Sequence, residues 1–204
     1  MDGHALSPAA DRPPDTATRE QAELDQRAAM DRFLAGVECR ALRIAEIAVR
    51  DRDDALDIVQ DAMIRLVRHY ARRPQAEWAP LFYRILQNRI RDHQRRAQVR
   101  RRIFGWLDRR DDDGDPLPDP MDRAADGPAM EPEHRQRLDG AMQALDSAIA
   151  ALPERQRQAF LLRALEGLNV ADTAAAMGCS AGSVKTHYSR AVHSLRATLG
   201  EHWQ

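Results

Sequence analysis

Apolar residues recur every three or four positions along most of this chain. Met30, Phe33, Val37, Ala41, Ile44 and Ala48 make one stripe; Ala55, Ile58, Val59, Ala62, Met63, Leu66, Val67 and Tyr70 make a second; Leu81, Phe82, Ile85, Leu86 and Ile90 make a third. Such spacing gathers each set on one face of an α-helix and on no single face of a strand. Period-two runs of β-branched and aromatic residues are absent. The pattern predicts an all-α protein. Aromatics are only 5% of the 204 residues, so Leu, Ile, Val, Ala and Met must build most of the core.

Breaks in the pattern divide the chain. "DRDD" at Asp51–Asp54 offers N-caps for the second helix, and Pro74 ends it. The third helix is expected to start near Trp78 or Pro80 and to run on into an Arg-rich stretch. "DRRDDDGDPLPDPMDRAADGPAMEPE" then loses all periodicity to Asp, Pro and Gly, the composition of a linker. Helical signals resume with Leu138, Met142, Leu145, Ile149 and Leu152. A second helix opens after Pro153, carries Phe160, Leu161, Leu162 and Leu165, and stops at Gly167. Asn169 can cap a third, which ends at Met177 and Gly178. Ser180 can cap a fourth, with Val184, Tyr188, Ala191, Val192 and Leu195 inward. Two short helices around a Gly-containing turn are a helix-turn-helix signature. The expected organisation is a disordered tail (1–20), an N-terminal helical domain (21–104), a flexible acidic linker (105–133) and a C-terminal helix-turn-helix domain (134–204).

The net charge of −1 conceals a segregation. Arg84 to Arg102 holds eight Arg against Asp92 alone, whereas Asp111 to Glu133 holds nine acids against Arg123 alone. Segments so unlike in charge have different partners. The N-terminal stretch has no apolar signal region, and no run approaches the length of a membrane span, so no membrane insertion is expected. Cys39 and Cys179 lie far apart in sequence and are expected to be small packing residues, which suits a cytoplasmic protein without a disulfide framework. The histidines form no ligand pattern. No metal or other cofactor is expected. Paired carboxylates, a nucleophile elbow and a P-loop are missing too, so no catalytic residues are assigned and the chain is not expected to be an enzyme.

Two helices carry candidate chemistry. With its inward set fixed, the last helix turns Ser183, Lys185, Thr186, Ser189 and Arg190 outward, behind a start of small residues. A helix N-terminus favours phosphate, Lys and Arg donate to phosphates or guanine edges, and hydroxyls contact either. The bland alternative is a solvated polar face; the preceding helix and Gly turn favour DNA. The Arg-rich helix follows Trp78, Phe82 and Tyr83. Cations beside aromatics suit single-stranded nucleic acid, and the alternative places those rings in the core.

"ALPERQRQAFLLRALEGLNVADTAAAMGCSAGSVKTHYSRAVHSLR" resembles the promoter-reading C-terminal domain of bacterial RNA polymerase sigma factors, and "RDDALDIVQDAMIRLVRHY…FYRILQNRIRDHQRR" resembles their N-terminal domain. Two such domains around a linker, with no middle domain, resemble the extracytoplasmic-function (ECF) group of the sigma-70 family. The resemblance spans about Met30 to Leu199. It implies a transcription initiation factor whose partners are core RNA polymerase and promoter DNA, with an anti-sigma factor as a frequent further partner. It also implies roles. Asp57, Gln60 and Asp61 match the stretch that docks on the polymerase clamp, although Asp61 and Arg65 also have the spacing of a helical ion pair. Asn88, Asp92, Arg95 and Arg96 match the helix that engages the minus-ten element as it melts, although Asp92 could instead orient Arg89, Arg95 or Arg96. Ser183, Lys185, Thr186, Ser189 and Arg190 match the helix lying in the major groove of the minus-thirty-five element. The sequence departs from the family at Leu81, where Trp is usual, at His187, often Arg, and at Thr173, usually Ile, where looser packing is expected.

The resemblance also gives the linker a place in a basic polymerase channel, beside its plainer use as a spacer. Arg109 to Pro132 spans 24 residues, which average about 27 Å end to end when flexible. Promoter elements two helical turns apart are ~70 Å distant. The free chain is therefore expected to bind promoters poorly until polymerase separates its domains. The rival function is a polymerase-independent helix-turn-helix regulator, since "SVKTH" also occurs in response-regulator-type activators.

Overall fold

The computed structural model describes the backbone of residues 16–107 and 132–200, and side chains over 20–100 and 140–200. The described residues are helical, with no strand among them. The expected linker lies almost wholly outside the described residues, as does most of the expected tail. Helix α1 (Thr16–Val49) nevertheless begins inside that tail, so residues 16–20 are helical where disorder was expected.

Helix α1 ends at Arg50, whose φ of 61° is left-handed. Such a conformation costs a non-glycine residue roughly 1–2 kcal/mol. The chain then turns into α2 (Arg52–Tyr70), where the Asp51 carboxylate accepts the Asp54 N–H at 2.9 Å. The amide of Gln26 on α1 donates to the Ala71 carbonyl at 2.8 Å, supplying a partner at the far end of α2. Helix α3 (Gln75–Leu107) starts three residues before Trp78, earlier than expected, and contains Pro80. Pro80 is the sixth residue of the helix, beyond the first four N–H groups that lack an intrahelical acceptor, so it removes the hydrogen bond that an N–H there would make to the Ala76 carbonyl.

These three helices pack on one another. Trp78, Phe82, Tyr83, Leu86 and Leu66 are fully buried among them. Phe33 of α1 meets Trp78 at 5.8 Å and Phe82 edge-on at 6.1 Å, between ring centroids. Each large side chain buried this way contributes about 1.5–3 kcal/mol. The rings before the Arg-rich stretch are therefore core, and the stacking alternative is not what the fold does with them.

The second bundle is α4 (Pro132–Ala151), α5 (Glu154–Phe160), α6 (Val170–Met177) and α7 (Ala181–Leu199). A widened π turn, Leu161–Leu165, extends α5. Gly167 and Gly178, at φ 69° and 62°, end the helices before them, a conformation that glycine adopts freely. Asn169 accepts the Asp172 N–H and Ser180 the Ser183 N–H, each as an N-cap. Thr173 is fully buried, and its hydroxyl donates to the Asn169 carbonyl at 2.7 Å. Its polar group is satisfied, so nothing at this position is loose. Met142 and Val67 lie on expected apolar faces yet are 45% and 42% exposed. Cys179 packs against the core, whereas Cys39 is exposed and is not the packing residue expected.

The bundles also touch each other. Helix α1 meets α4, and α3 meets α6. Gln87, Ile90 and Gln94 of α3 share a small gap with Arg157, Gln158 and Leu161. Buried side chains run continuously from one bundle into the other.

Candidate nucleic-acid interface

Helix α7 buries Val184, Ala191 and Leu195. Opposite them Lys185, Thr186, Ser189 and Arg190 are exposed, with Ser183 half-buried at the helix start. Lys185 is the only lysine in the chain. The hydroxyls are held locally: Ser183 Oγ lies 2.9 Å from Ser180 Oγ, and Thr186 donates to the Gly182 carbonyl at 3.1 Å. Each retains lone pairs toward solvent. The five α7 candidates thus share one accessible face, with the first bundle packed elsewhere.

On α3, Asn88, Arg95 and Arg96 are exposed and Asp92 is half-buried. They line one wall of an open groove of about 910 Å³, together with Arg89, His93, Val99 and Arg100, except that Asn88 sits outside it. The other wall is α2, with Asp54, Asp57, Gln60, Asp61 and Ile64. One wall is basic and the other acidic, and they are joined. Asp61 ion-pairs with Arg89 across the groove, and His93 Nε2 lies 3.4 Å from the Asp54 carboxylate. The expected Asp61–Arg65 helical pair does not form, because α3 brings a closer cation to Asp61. Nor does Asp92 pair with Arg89, Arg95 or Arg96. Asp57 and Gln60 are exposed, and Ile64 beside them is 46% exposed, so α2 presents acid and amide groups next to bare aliphatic surface. No group of side chains suited to a metal ion occurs among the described residues. No described helix is long and apolar enough to cross a membrane.

A third set of charges had no local signal in the sequence, because its members are far apart in the chain. Arg40 Nε donates to Glu166 Oε2 at 3.1 Å, Arg43 pairs with Asp146, and Arg91 Nε donates to Glu154 Oε1 at 3.1 Å. In every case the cation belongs to the first bundle and the acid to the second. Glu166 is the most enclosed, with 2% of its side chain exposed. The Tyr83 hydroxyl lies against it; burial first, then the neighbouring carboxylate, holds that phenol far above its ordinary range. Neither Tyr83 Oη nor Glu166 Oε1 completes a hydrogen bond of normal geometry. The same carboxylate raises Arg40 above the usual guanidinium value. Arg157, which donates to the Ala150 carbonyl at 3.0 Å, is lowered by burial.

The sequence matches two family models. That for Sigma-70 region 2 covers residues 35–100, and that for Sigma-70, region 4, covers residues 142–195. The RNA polymerase sigma-E factor of Streptomyces coelicolor is 33% identical over 162 residues, which are 78% of each chain. The ECF RNA polymerase sigma factor SigM of Mycobacterium tuberculosis is 29% identical over 159 residues, 78% of this chain and 70% of that one. Two solved structures share the fold. The sigma factor RpoE of Bartonella quintana, in complex with the anti-sigma factor NepR, aligns with a TM-score of 0.57 at 23% identity, over 83% of this chain and 96% of that one. CnrH, in complex with the cytosolic domain of CnrY, aligns with a TM-score of 0.55 at 21% identity, over 89% and 94%.

Proposed function

The chain belongs to the ECF group of sigma-70 factors, and from that premise we infer how its two bundles divide the work. The protein binds core RNA polymerase and promoter DNA and confers promoter specificity on transcription initiation. Membership does not favour the polymerase-independent regulator. The family consists of initiation factors, and the chain's part in transcription is one of binding rather than catalysis.

The division of labour is our reading. The N-terminal domain, 21–104, docks on polymerase through Asp57, Gln60 and Asp61 and engages the melted minus-ten element through Asn88, Asp92, Arg95 and Arg96. The C-terminal domain, 134–204, lays Ser183, Lys185, Thr186, Ser189 and Arg190 in the major groove of the minus-thirty-five element. The observation carrying this most directly is the single open face of α7, where Lys185 and Arg190 stand beside three hydroxyls on a Ser180-capped helix. Backbone amides at that helix start favour a phosphate, and the two cations reach phosphates or guanine edges. On α3 the cations hold the strand. Unstacking a base costs a few kcal/mol, so capture succeeds only with polymerase bound. The complexes of RpoE with NepR and of CnrH with CnrY support an anti-sigma factor as a further partner.

Run-off transcription with core polymerase tests the reading. The protein should direct discrete starts from its promoters. Starts no different from those of core polymerase alone would overturn it.

A further inference from the structure

We propose that Arg155 is a positioning residue for the upstream element: it ties the end of α6 to α5 and so sets the angle at which α7 meets the major groove. The proposal rests on the sigma-factor reading above and adds a residue outside the five on α7.

Arg155 stands in the first turn of α5, beside Glu154. The positive end of a helix disfavours a cation there, so α5 itself gains nothing from the charge. The guanidinium reaches out of its helix instead. Its Nη1 donates to the carbonyl of Met177, the last residue of α6, at 2.8 Å, and lies 3.4 Å from Gln158 Oε1. Gln158 is buried and donates in turn to Glu154 at 2.9 Å, so this neighbour is itself fixed. Arg157 makes the matching contact on the other side, to Ala150 in the last turn of α4. Helix α5 thus places one cation at the carbonyl end of each of two neighbouring helices, where acceptors lack intrahelical donors and the dipole is negative.

Met177 is where such a tie bears on reading DNA. Gly178, Cys179 and Ser180 alone separate it from α7. Within that turn the Cys179 N–H returns to the Ala174 carbonyl at 3.1 Å, and the Ser183 N–H donates to Ser180 Oγ at 3.1 Å. Those bonds are local and set each helix end, but not its angle to α5. Arg155 spans 22 positions to supply that angle. Helix α5 also packs directly on α7, so the tie fixes the turn relative to the helix on which α7 lies. A recognition face has to be held to within about 0.5 Å of its productive place, and Ser183, Lys185 and Thr186 follow the turn directly. With Met177 released, α7 tilts, and the upstream element is gripped through its phosphates without being read.

Arg155 is exposed, so replacing it leaves the core intact. Arg155→Ala removes the tie; Arg155→Lys keeps a cationic donor, which is what a single carbonyl requires. Helix content and melting temperature identify folded variants. Holoenzyme assembled with the full chain is titrated on two promoter fragments, one with the upstream element intact and one with it scrambled. Arg155→Ala should lose on the order of tenfold in preference for the intact fragment, the scale of one hydrogen bond to a charged donor, with affinity for the scrambled fragment unchanged. Arg155→Lys should recover most of that preference. In the free chain, amide hydrogen exchange at Cys179 and Ser183 should be faster in the alanine variant and parental in the lysine variant. A folded alanine variant with parental preference overturns the proposal. Equal loss on both fragments, with a salt slope smaller by about one, makes Arg155 a phosphate contact and overturns it too. Failure of the parent holoenzyme to prefer the intact fragment would overturn the sigma-factor reading instead, and the exchange rates would still decide whether Arg155 holds the turn.

Discussion

Arg89 of α3 is ion-paired with Asp61 of α2, so a residue assigned to polymerase docking is tied to the Arg-rich helix. The pair is partly screened, with side-chain exposures of 19% and 47%. A double-mutant cycle between Asp61→Ala and Arg89→Ala, followed by urea unfolding, should give a coupling of about 0.5–1 kcal/mol. A coupling near zero would mean that the pair holds nothing together.

Lys185→Ala and Arg190→Ala should each weaken use of the upstream promoter element. Where the lost contact was to phosphate, the loss should be nearly uniform across sequences, and the salt slope should shrink by about one. Titrating holoenzyme on promoter fragments at several salt concentrations measures both. Unchanged binding by both variants would take α7 out of the site.

Arg95→Ala combined with Arg96→Ala should impair opening of the promoter more than capture of polymerase, because both guanidinium groups are exposed on α3. Permanganate footprinting reports the melted bases, and co-purification reports the capture. Normal melting in the double variant would remove these two residues from the assignment.

Phe82 separates a core ring from a stacking ring. It is fully buried against Phe33 and Tyr83. Phe82→Ala should cost about 3–5 kcal/mol of stability. Phe82→Leu should cost far less and leave promoter opening intact below its melting temperature. Loss of opening in a well-folded Phe82→Leu protein would restore the stacking alternative.

Burial first, then the Glu166 carboxylate, raises the Tyr83 phenol. Its folded value is raised above the unfolded value near 10. Its contribution to stability is therefore complete below about pH 10 and is lost as pH rises through the folded value. Alkaline titration followed by tyrosinate absorbance should show one phenol that ionises only as helix content collapses. A Tyr83 phenol that ionises near pH 10 while helix content persists would contradict this placement.

The helical class and most helix ends were legible in the sequence because both are local. Caps such as Asp51, Asn169 and Ser180 act on an N–H three residues away, and the left-handed Gly167 and Gly178 need no distant partner. The five outward residues of α7 followed from its inward set for the same reason. What escaped was long-range. Asp61 had a plausible partner one turn away in Arg65, and only the packing of α3 on α2 offers it Arg89 instead. Cys39 seemed a packing residue by type, yet the second bundle does not cover it. The three cross-bundle pairs join residues 63 to 126 positions apart, beyond any periodicity a sequence displays.

That α7 carries the only lysine has a practical consequence. A reagent that acylates side-chain amines has one internal target, and that target stands on the surface assigned to the upstream element. Mass-spectrometric labelling with and without a promoter fragment would therefore act as a one-residue footprint, reporting occupancy of the major groove without any engineered probe.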